Sequence, residues 1–216
     1  MKTHVGLIRV LTVKDRELLN SHGRLIEATF PDLRVISRCI EDQPQGIYDS
    51  ETKRMAIPKI IELGKEMGKE NIRALIVSCA DDPGVCKLRR VFDIPVIGAG
   101  SSAACLSLSL GFRIGSLGIT ENAPQIMKEI LDTHLVAETR PKGIRTSLDL
   151  TTERGKRNTI KAAEYLRTQG ADVIALACTG YSTISIAKDL EKTVGLPVID
   201  AVVAAGLFTW YFTCRR

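Results

Sequence analysis

Two cysteines occupy similar places in two similar stretches of the chain. Cys79 ends the apolar run ALIVSC and precedes the polar turn ADDPG, whereas Cys178 ends the run VIALAC and precedes TGYS. A thiol between a strand end and the first turn of a helix lies near backbone N–H groups and the positive end of the helix dipole, which favour the thiolate. Each of these cysteines is therefore a candidate acid or base.

Two thiols on opposite walls of a cleft could invert a carbon centre. One, as thiolate, would remove a proton from one face of the carbon, while the other, as thiol, would supply a proton to the opposite face. This chemistry needs neither a cofactor nor a metal, provided that hydrogen bonds to a neighbouring carbonyl or carboxylate make the carbon more acidic. Core packing is the alternative for a single cysteine. We assign packing to the remaining four, Cys39, Cys86, Cys105 and Cys214.

The stretches that contain the two cysteines are copies of one repeat. RALIVSCADDPGVCKLRRVFDIPVIGAGSSAA and DVIALACTGYSTISIAKDLEKTVGLPVIDAVVAA share the order strand, Cys, polar turn, amphipathic helix, strand and small-residue helix. Each copy is typical of a βαβ unit. We expect one lobe over residues 1–98 plus about 205–216 and a second over residues 99–204, facing each other across a cleft. Ligands of parallel sheets bind beyond the carboxyl ends of the strands, where both cysteines lie.

Short apolar runs alternate with longer amphipathic ones along the whole chain, which predicts an α/β fold with largely parallel sheets. The runs rich in Val and Ile predict strands at residues 5–12, 33–40, 73–79, 95–99, 113–119, 172–178 and 197–201. The segments between them predict helices at about residues 15–29, 52–68, 83–92, 101–110, 122–133, 153–168, 183–194 and 201–212.

Polar and small residues next to the predicted strand ends are candidates for substrate binding. Ser101 and Ser102 lie in the turn GAGSSAA at a helix start, where backbone amides favour an anion. Helix capping is the alternative for these serines and for Thr120. The polar loop at residues 41–49 is either a lid at the same rim or a solvated connector. The candidate substrate-binding residues are Ser78, Ala80, Ser101, Ser102, Thr120, Thr179 and Gly180.

Composition excludes several classes of protein. The 30 basic and 25 acidic residues are mixed along the chain without a dense basic block, so we expect no nucleic-acid partner. No apolar run reaches about 18 residues and the start does not resemble a signal peptide, so we expect a soluble cytoplasmic protein with no membrane partner. The apolar segment AVVAAGLFTWYFTC predicts a docked closing helix or a subunit interface, which leaves a homo-oligomer open. No CxxC or paired Cys/His spacing indicates a metal site.

Taken together, these segments resemble the aspartate/glutamate/hydantoin racemase superfamily, and most closely its hydantoin racemase branch. The resemblance rests on GLIRV, SRCIEDQPQGIY, IVSCADDPG, IPVIGAGSSAA, ALACTGYS and GLPVIDAVVAA, and so covers nearly the whole chain. It implies two pseudo-symmetric flavodoxin-like half-domains, each a doubly wound parallel sheet, with the active site between them. It also implies racemisation or epimerisation of a small molecule without PLP, with Cys79 and Cys178 as the acid/base pair.

The residues after the two cysteines depart from the amino-acid racemases of this superfamily. The pattern typical of those enzymes is Cys-Asn-Thr at the first cysteine and Cys-Thr-His at the second. This chain has Cys79-Ala80-Asp81 and Cys178-Thr179-Gly180 instead. The difference favours a 5-substituted hydantoin, allantoin or another cyclic amide over aspartate or glutamate. Decarboxylases of this superfamily keep a single catalytic cysteine, so two cysteines favour racemisation. A non-catalytic two-lobed binder, or a redox protein with a Cys79–Cys178 disulfide, remains an alternative.

Overall fold

The computed structural model describes residues 2–214, which form eight strands and nine α-helices. The strands are β1 (Thr3–Arg9), β2 (Leu33–Cys39), β3 (Leu75–Ser78), β4 (Val96–Gly98), β5 (Ile114–Leu117), β6 (Leu135–Thr139), β7 (Val173–Leu176) and β8 (Val198–Ile199). The helices are α1 (Arg16–Thr29), α2 (Ser50–Met67), α3 (Val85–Arg89), α4 (Ala99–Leu108), α5 (Gln125–Leu131), α6 (Glu153–Thr168), α7 (Gly180–Thr183), α8 (Ala187–Val194) and α9 (Ala201–Cys214).

The strands form two parallel four-stranded sheets with the same order. The first sheet is β2-β1-β3-β4 and the second is β6-β5-β7-β8. The repeat in the sequence is thus a repeat of topology, and the predicted α/β fold with two similar halves is confirmed. In each sheet the third strand along the chain is central, and the two cysteines follow these central strands, β3 and β7.

Helices α4 and α9 pack against each other and join the two lobes. Alternate residues of the central strands face them: Ile76 of β3 and Ala175 of β7 belong to one buried apolar cluster with Ala103 of α4 and Ala205 of α9. The small side chains of both helices let their backbones approach closely. Because α4 contacts strands of both sheets, the lobe boundary at residues 98 and 99 stays a prediction. The predicted first lobe also includes Met1, Arg215 and Arg216, which lie outside the described residues.

The structure contains elements that the sequence patterns did not indicate. Strand β6, with the sequence LVAET, was not predicted; it lies at the edge of the second sheet, where partial exposure removes the need for an apolar run. The helix predicted at residues 183–194 begins only at Ala187, as α8, because Ser185 has a left-handed backbone with φ of 52°. The short helix α7 was not predicted and ends at Thr183, where the predicted helix was to begin. Within residues 2–214, no helix is long and apolar enough to cross a membrane.

Candidate active site

A cavity of about 640 Å³ lies between the carboxyl ends of the two sheets, and both lobes contribute to its wall. Cys79 and Cys178 both line it, and each has only 9% of its surface exposed. We refer to this space as the interlobe cavity. All six cysteines are free thiols, so no disulfide joins the two that line it.

The turn that holds Cys79 is braced by the start of α4. Asp82 has a left-handed backbone with φ of 45°, and its carboxylate accepts hydrogen bonds from the N–H groups of Gly100 (2.7 Å) and Ser101 (3.0 Å). Gly100 lies so close to this turn that an added Cβ would stand 1.8 Å from the carbonyl oxygen of Ala80. Only glycine allows this approach, since a larger residue would force the Cys79 turn and the start of α4 apart.

The turn that holds Cys178 is braced in a related way by the start of α9. Ser182 donates a 2.8 Å hydrogen bond to the carboxylate of Asp200, which also accepts from the N–H groups of Val202 and Val203. The buried hydroxyl of Tyr181 donates to the carbonyl oxygen of Gly118 at 2.8 Å. In each lobe, therefore, an aspartate ties the cysteine turn to the N-terminus of a small-residue helix.

The two thiols differ in their electrostatic surroundings. Burial raises the pKa of Cys178 to about 11, and this rise is opposed by the N–H of Gly180, which donates to Sγ at 3.3 Å, and by the charge of Arg9. Burial also raises the pKa of Cys79; the N–H of Asp81 opposes this rise, but the carboxylates of Asp81 and Asp82 add to it. Cys178 thus has a cation as its charged neighbour, whereas Cys79 has two acids.

A buried polar network lies behind the cysteines and joins the lobes. His22 of α1 hydrogen-bonds to the hydroxyls of Ser78 and Thr183, both at 2.8 Å. Arg9, at the end of β1, donates to the carbonyl of Leu18 at 2.7 Å and to Thr183 at 3.4 Å. Burial lowers the pKa of Arg9 to about 10, and it lowers the pKa of His22 well below its ordinary value. Sequence reasoning missed both residues, although Arg9 interrupts the apolar strand VGLIRVL.

Most of the predicted substrate-binding residues line the interlobe cavity together. Five of the seven do so, namely Ser78, Ala80, Thr120, Thr179 and Gly180. Ser101 and Ser102 do not: their hydroxyls donate to the carbonyl of Gly98, at 3.3 and 2.7 Å, within the first turn of α4. This placement fits neither expectation, because the N-cap of α4 is Gly98, which has no side-chain cap, and neither serine lines the cavity.

The rim of the cavity combines a predicted segment with one that was missed. Residues 46–49 of the polar loop line the cavity, and Lys53 at the start of α2 forms a 2.8 Å ion pair with Asp81 beside Cys79. From the second lobe, Ser147, Leu148 and Thr151 of a 3-10 helix close the opposite side. Within residues 2–214, no group of three or more His, Cys, Asp or Glu side chains is arranged to hold a metal ion.

Two similar parallel lobes, with a thiol at the matching strand end of each and a shared cavity between them, define a two-lobed α/β enzyme. The family model described as Asp/Glu/Hydantoin racemase matches residues 18–206, and the chain belongs to this family. It is therefore a racemase-type isomerase rather than a non-catalytic binder or a thiol redox protein.

Individual relatives and solved structures are similar to this chain, the former in sequence and the latter in fold. The chain is 28% identical to a hydantoin racemase from Pseudomonas sp. (strain NS671) over 191 residues, which are 82% of this chain and 73% of that protein. Its fold is similar to that of allantoin racemase from Klebsiella pneumoniae, with a TM-score of 0.84 at 18% identity over 99% of this chain and 88% of that one. The fold is also similar to that of a glutamate racemase from Bacillus anthracis, with a TM-score of 0.69 at 14% identity. The match covers 97% of this chain and 81% of that one.

Proposed function

We propose that the protein is a cofactor-independent racemase that uses Cys79 and Cys178 as its two acid/base groups. The observation that carries this proposal is that the two thiols, at equivalent strand ends of the two lobes, line one cavity. A carbon centre bound between them would present opposite faces to the two sulfurs. Inversion needs this arrangement, because the proton must leave from one face and return to the other.

The proposed reaction conserves all atoms. The thiolate of one cysteine takes the proton from the stereogenic carbon, and the electron pair of the C–H bond passes into the neighbouring carbonyl as an enolate. The thiol of the other cysteine then donates its proton to the opposite face. The enzyme is left with the thiol and thiolate exchanged, which is the state that acts on the product enantiomer. Backbone N–H groups and hydroxyls at the two turns, including Thr179 and Gly180, are candidates to stabilise the enolate oxygen.

A 5-substituted hydantoin or a related cyclic amide such as allantoin is the proposed substrate class. The relatives named above include a hydantoin racemase and an allantoin racemase. Ala80 and Gly180 occupy the positions of the Asn and the His in the Cys-Asn-Thr and Cys-Thr-His patterns of the amino-acid racemases. Neither residue has a polar side chain. The C5 proton of a hydantoin is acidified by the adjacent ring carbonyl, so two thiols are strong enough bases without a metal or PLP. We propose that the enzyme acts in the cytoplasm.

The proposal is tested by following single enantiomers of 5-methylhydantoin, 5-benzylhydantoin, allantoin, aspartate and glutamate in D₂O. Circular dichroism reports racemisation, and proton NMR reports exchange at the stereogenic carbon. We expect racemisation with uptake of one deuteron for at least one cyclic amide, and none for aspartate or glutamate. Samples without enzyme correct for spontaneous racemisation.

Matched variants separate the proposed thiols from other cysteines. Cys79→Ser with Cys178→Ser should abolish turnover, whereas Cys86→Ser with Cys105→Ser should leave it unchanged, because these two thiols are exposed and lie outside the cavity. Absence of exchange in every cyclic amide, or full activity in the first double variant, would refute the proposal.

A further inference from the structure

Arg9 is a buried cation without an acidic partner among the described residues. Only 3% of its surface is exposed, and its guanidinium donates to two backbone carbonyls of α1 and to the hydroxyls of Ser21 and Thr183. These neutral acceptors hold the side chain in place but do not neutralise it. Burial lowers the pKa of Arg9 to about 10, so it remains a cation at neutral pH. A buried cation is unfavourable unless a negative charge comes to it.

Part of the Arg9 guanidinium has unused donors that face the interlobe cavity. Nη1 makes three of the four hydrogen bonds, Nη2 makes one, to Thr183, and Nε makes none with a described residue. Of the five N–H groups of an arginine, the one on Nε and at least one on Nη2 are therefore unused. Arg9 lines the cavity, and none of its nitrogens is among the described atoms that are buried without a partner. The unused N–H groups therefore reach the cavity.

Arg9 lies between the two cysteine turns. Its backbone, at the end of β1, pairs in register with Ser78, which precedes Cys79. Its side chain crosses to the second lobe and donates at 3.4 Å to Thr183 of α7, the short helix that begins directly after the Cys178 turn. A carbon centre held between the two sulfurs would therefore have this guanidinium beside it at the cavity wall.

No other side chain that the structure places in the cavity wall supplies an unpaired positive charge. Lys53 pairs with Asp81 at 2.8 Å, and Lys128 pairs with Glu138 at 3.1 Å. His22, behind the wall, is neutral because burial lowers its pKa well below its ordinary value. Of the described side chains, the guanidinium is therefore the cation that is available to an anionic intermediate.

We propose that Arg9 is a catalytic residue that stabilises the enolate formed between the two thiols. When one thiolate removes the proton, the electron pair of the C–H bond passes to the neighbouring carbonyl oxygen, which becomes negative and accepts the unused N–H groups of Arg9. When the other thiol donates its proton, this electron pair forms the new C–H bond and the charge leaves the oxygen. Arg9 keeps all its protons throughout. The inference rests on the proposed function, and a fixed charge that favours the enolate over the neutral substrate lowers the barrier.

Kinetics with two hydantoins test this role. Arg9→Met removes the charge, whereas Arg9→Lys keeps it. Arg90→Met removes an exposed arginine that does not line the cavity, and it is the matched control. Proton exchange in D₂O and loss of optical activity are measured for single enantiomers of 5-methylhydantoin and 5-phenylhydantoin. In the enolate of 5-phenylhydantoin the phenyl ring shares the negative charge, so less of it remains on the oxygen.

We expect kcat of Arg9→Met to fall by about 100-fold with 5-methylhydantoin, while KM changes little. The fall with 5-phenylhydantoin should be smaller, because its enolate depends less on the guanidinium. Arg9→Lys should lie between Arg9→Met and the wild type, and Arg90→Met should match the wild type. A merely structural role would lower kcat by the same factor for both hydantoins.

Binding of a stable anion tests the same role without turnover. Barbiturate is a planar cyclic amide that is an enolate anion at neutral pH, and dihydrouracil is a neutral ring of the same size. Titration calorimetry of the wild type should give a dissociation constant for barbiturate about tenfold lower than that for dihydrouracil. Arg9→Met should remove this difference. The wild-type comparison requires no folded variant.

Three results would overturn the inference. The first is a wild-type protein that binds both rings equally. The second is an Arg9→Met variant whose kcat falls by the same factor for both hydantoins. The third is an unchanged kcat in that variant, with or without a raised KM, beside an active wild type; this result refutes the role of Arg9 alone. A wild type that exchanges the proton of no cyclic amide would instead refute the proposed function and, with it, this role.

Discussion

The hydroxyl of Thr179 donates a buried 3.2 Å hydrogen bond to the carbonyl oxygen of Ser78. The residue that follows one cysteine is thereby bonded to the residue that precedes the other. This bond crosses from the second lobe to the first at the floor of the interlobe cavity. It holds the two cysteine turns in a fixed relation to each other, and a two-thiol reaction depends on that relation.

Removing this cross-lobe bond should impair catalysis more than folding. Thr179→Val keeps the shape of the side chain but loses the donor, which we expect to lower the free energy of unfolding by about 1 kcal/mol. Because misplacement by a fraction of an ångström is felt at the reacting atoms, kcat should fall by roughly 10- to 100-fold. Thr179→Ser retains the hydroxyl and is the matched control. Wild-type kcat in the valine variant, measured beside urea unfolding, would show that the bond does not position the thiols.

The buried histidine predicts a loss of stability in acid. Burial is the main cause that lowers the pKa of His22 in the folded protein, and the charge of Arg9 adds to it. In the unfolded chain the same imidazole binds a proton at about pH 6.5. The folded state is therefore disfavoured as the pH falls below about 6.5, by up to about 1.4 kcal/mol per pH unit from this group. Urea midpoints between pH 7.5 and 5 should show this slope.

Comparison with variants assigns that slope to His22. His22→Gln should be less stable at pH 7.5, since the bonds to Ser78 and Thr183 are disturbed, but its urea midpoint should depend less on pH. His4→Gln, at an exposed position of β1, should keep the wild-type slope. An equal slope in wild type and His22→Gln would mean that other groups govern acid stability.

The close approach of α4 to the Cys79 turn predicts a sensitive glycine. Gly100→Ala would place a Cβ 1.8 Å from the carbonyl oxygen of Ala80, so the turn or the helix must move. We expect a loss of stability of about 2 to 3 kcal/mol and a large fall in kcat. Gly118→Ala would place a Cβ 3.6 Å from its nearest atom. Its free energy of unfolding should lie within about 1 kcal/mol of the wild-type value. Equal melting temperatures for the two variants would contradict this reading of the turn.

The sequence predicted the fold well because its signals are local. Seven of the eight strands, among them β3 and β7, lie in runs rich in Val and Ile that turn residues bound, and the repeat around Cys79 and Cys178 predicted two halves of similar topology. The exception, β6, is an edge strand of mixed polarity. The other edge strands, β2, β4 and β8, have runs with Val and Ile, whereas β6 is at least partly exposed along its whole length and has a single Val.

The site was predicted in part, and the missing residues are those that depend on tertiary contacts. Cys79 and Cys178 could be found because each ends a strand. Arg9 and His22 lie well over 150 residues from Thr183, which both of them contact. No spacing in the sequence predicts such a long-range contact. Ser101 and Ser102 have the right residue type and place for anion binding, yet the nearby carbonyl of Gly98 takes both hydroxyls.

The central claim is that Cys79 and Cys178 act on opposite faces of one carbon. It is tested most directly by incubating each enantiomer of an accepted hydantoin in D₂O with Cys79→Ser and, separately, with Cys178→Ser, and measuring proton exchange and optical activity together. We predict that neither variant racemises, and that each exchanges the proton of at most one enantiomer, with the two variants selecting opposite ones. Racemisation of both enantiomers by either single variant would contradict the two-thiol mechanism.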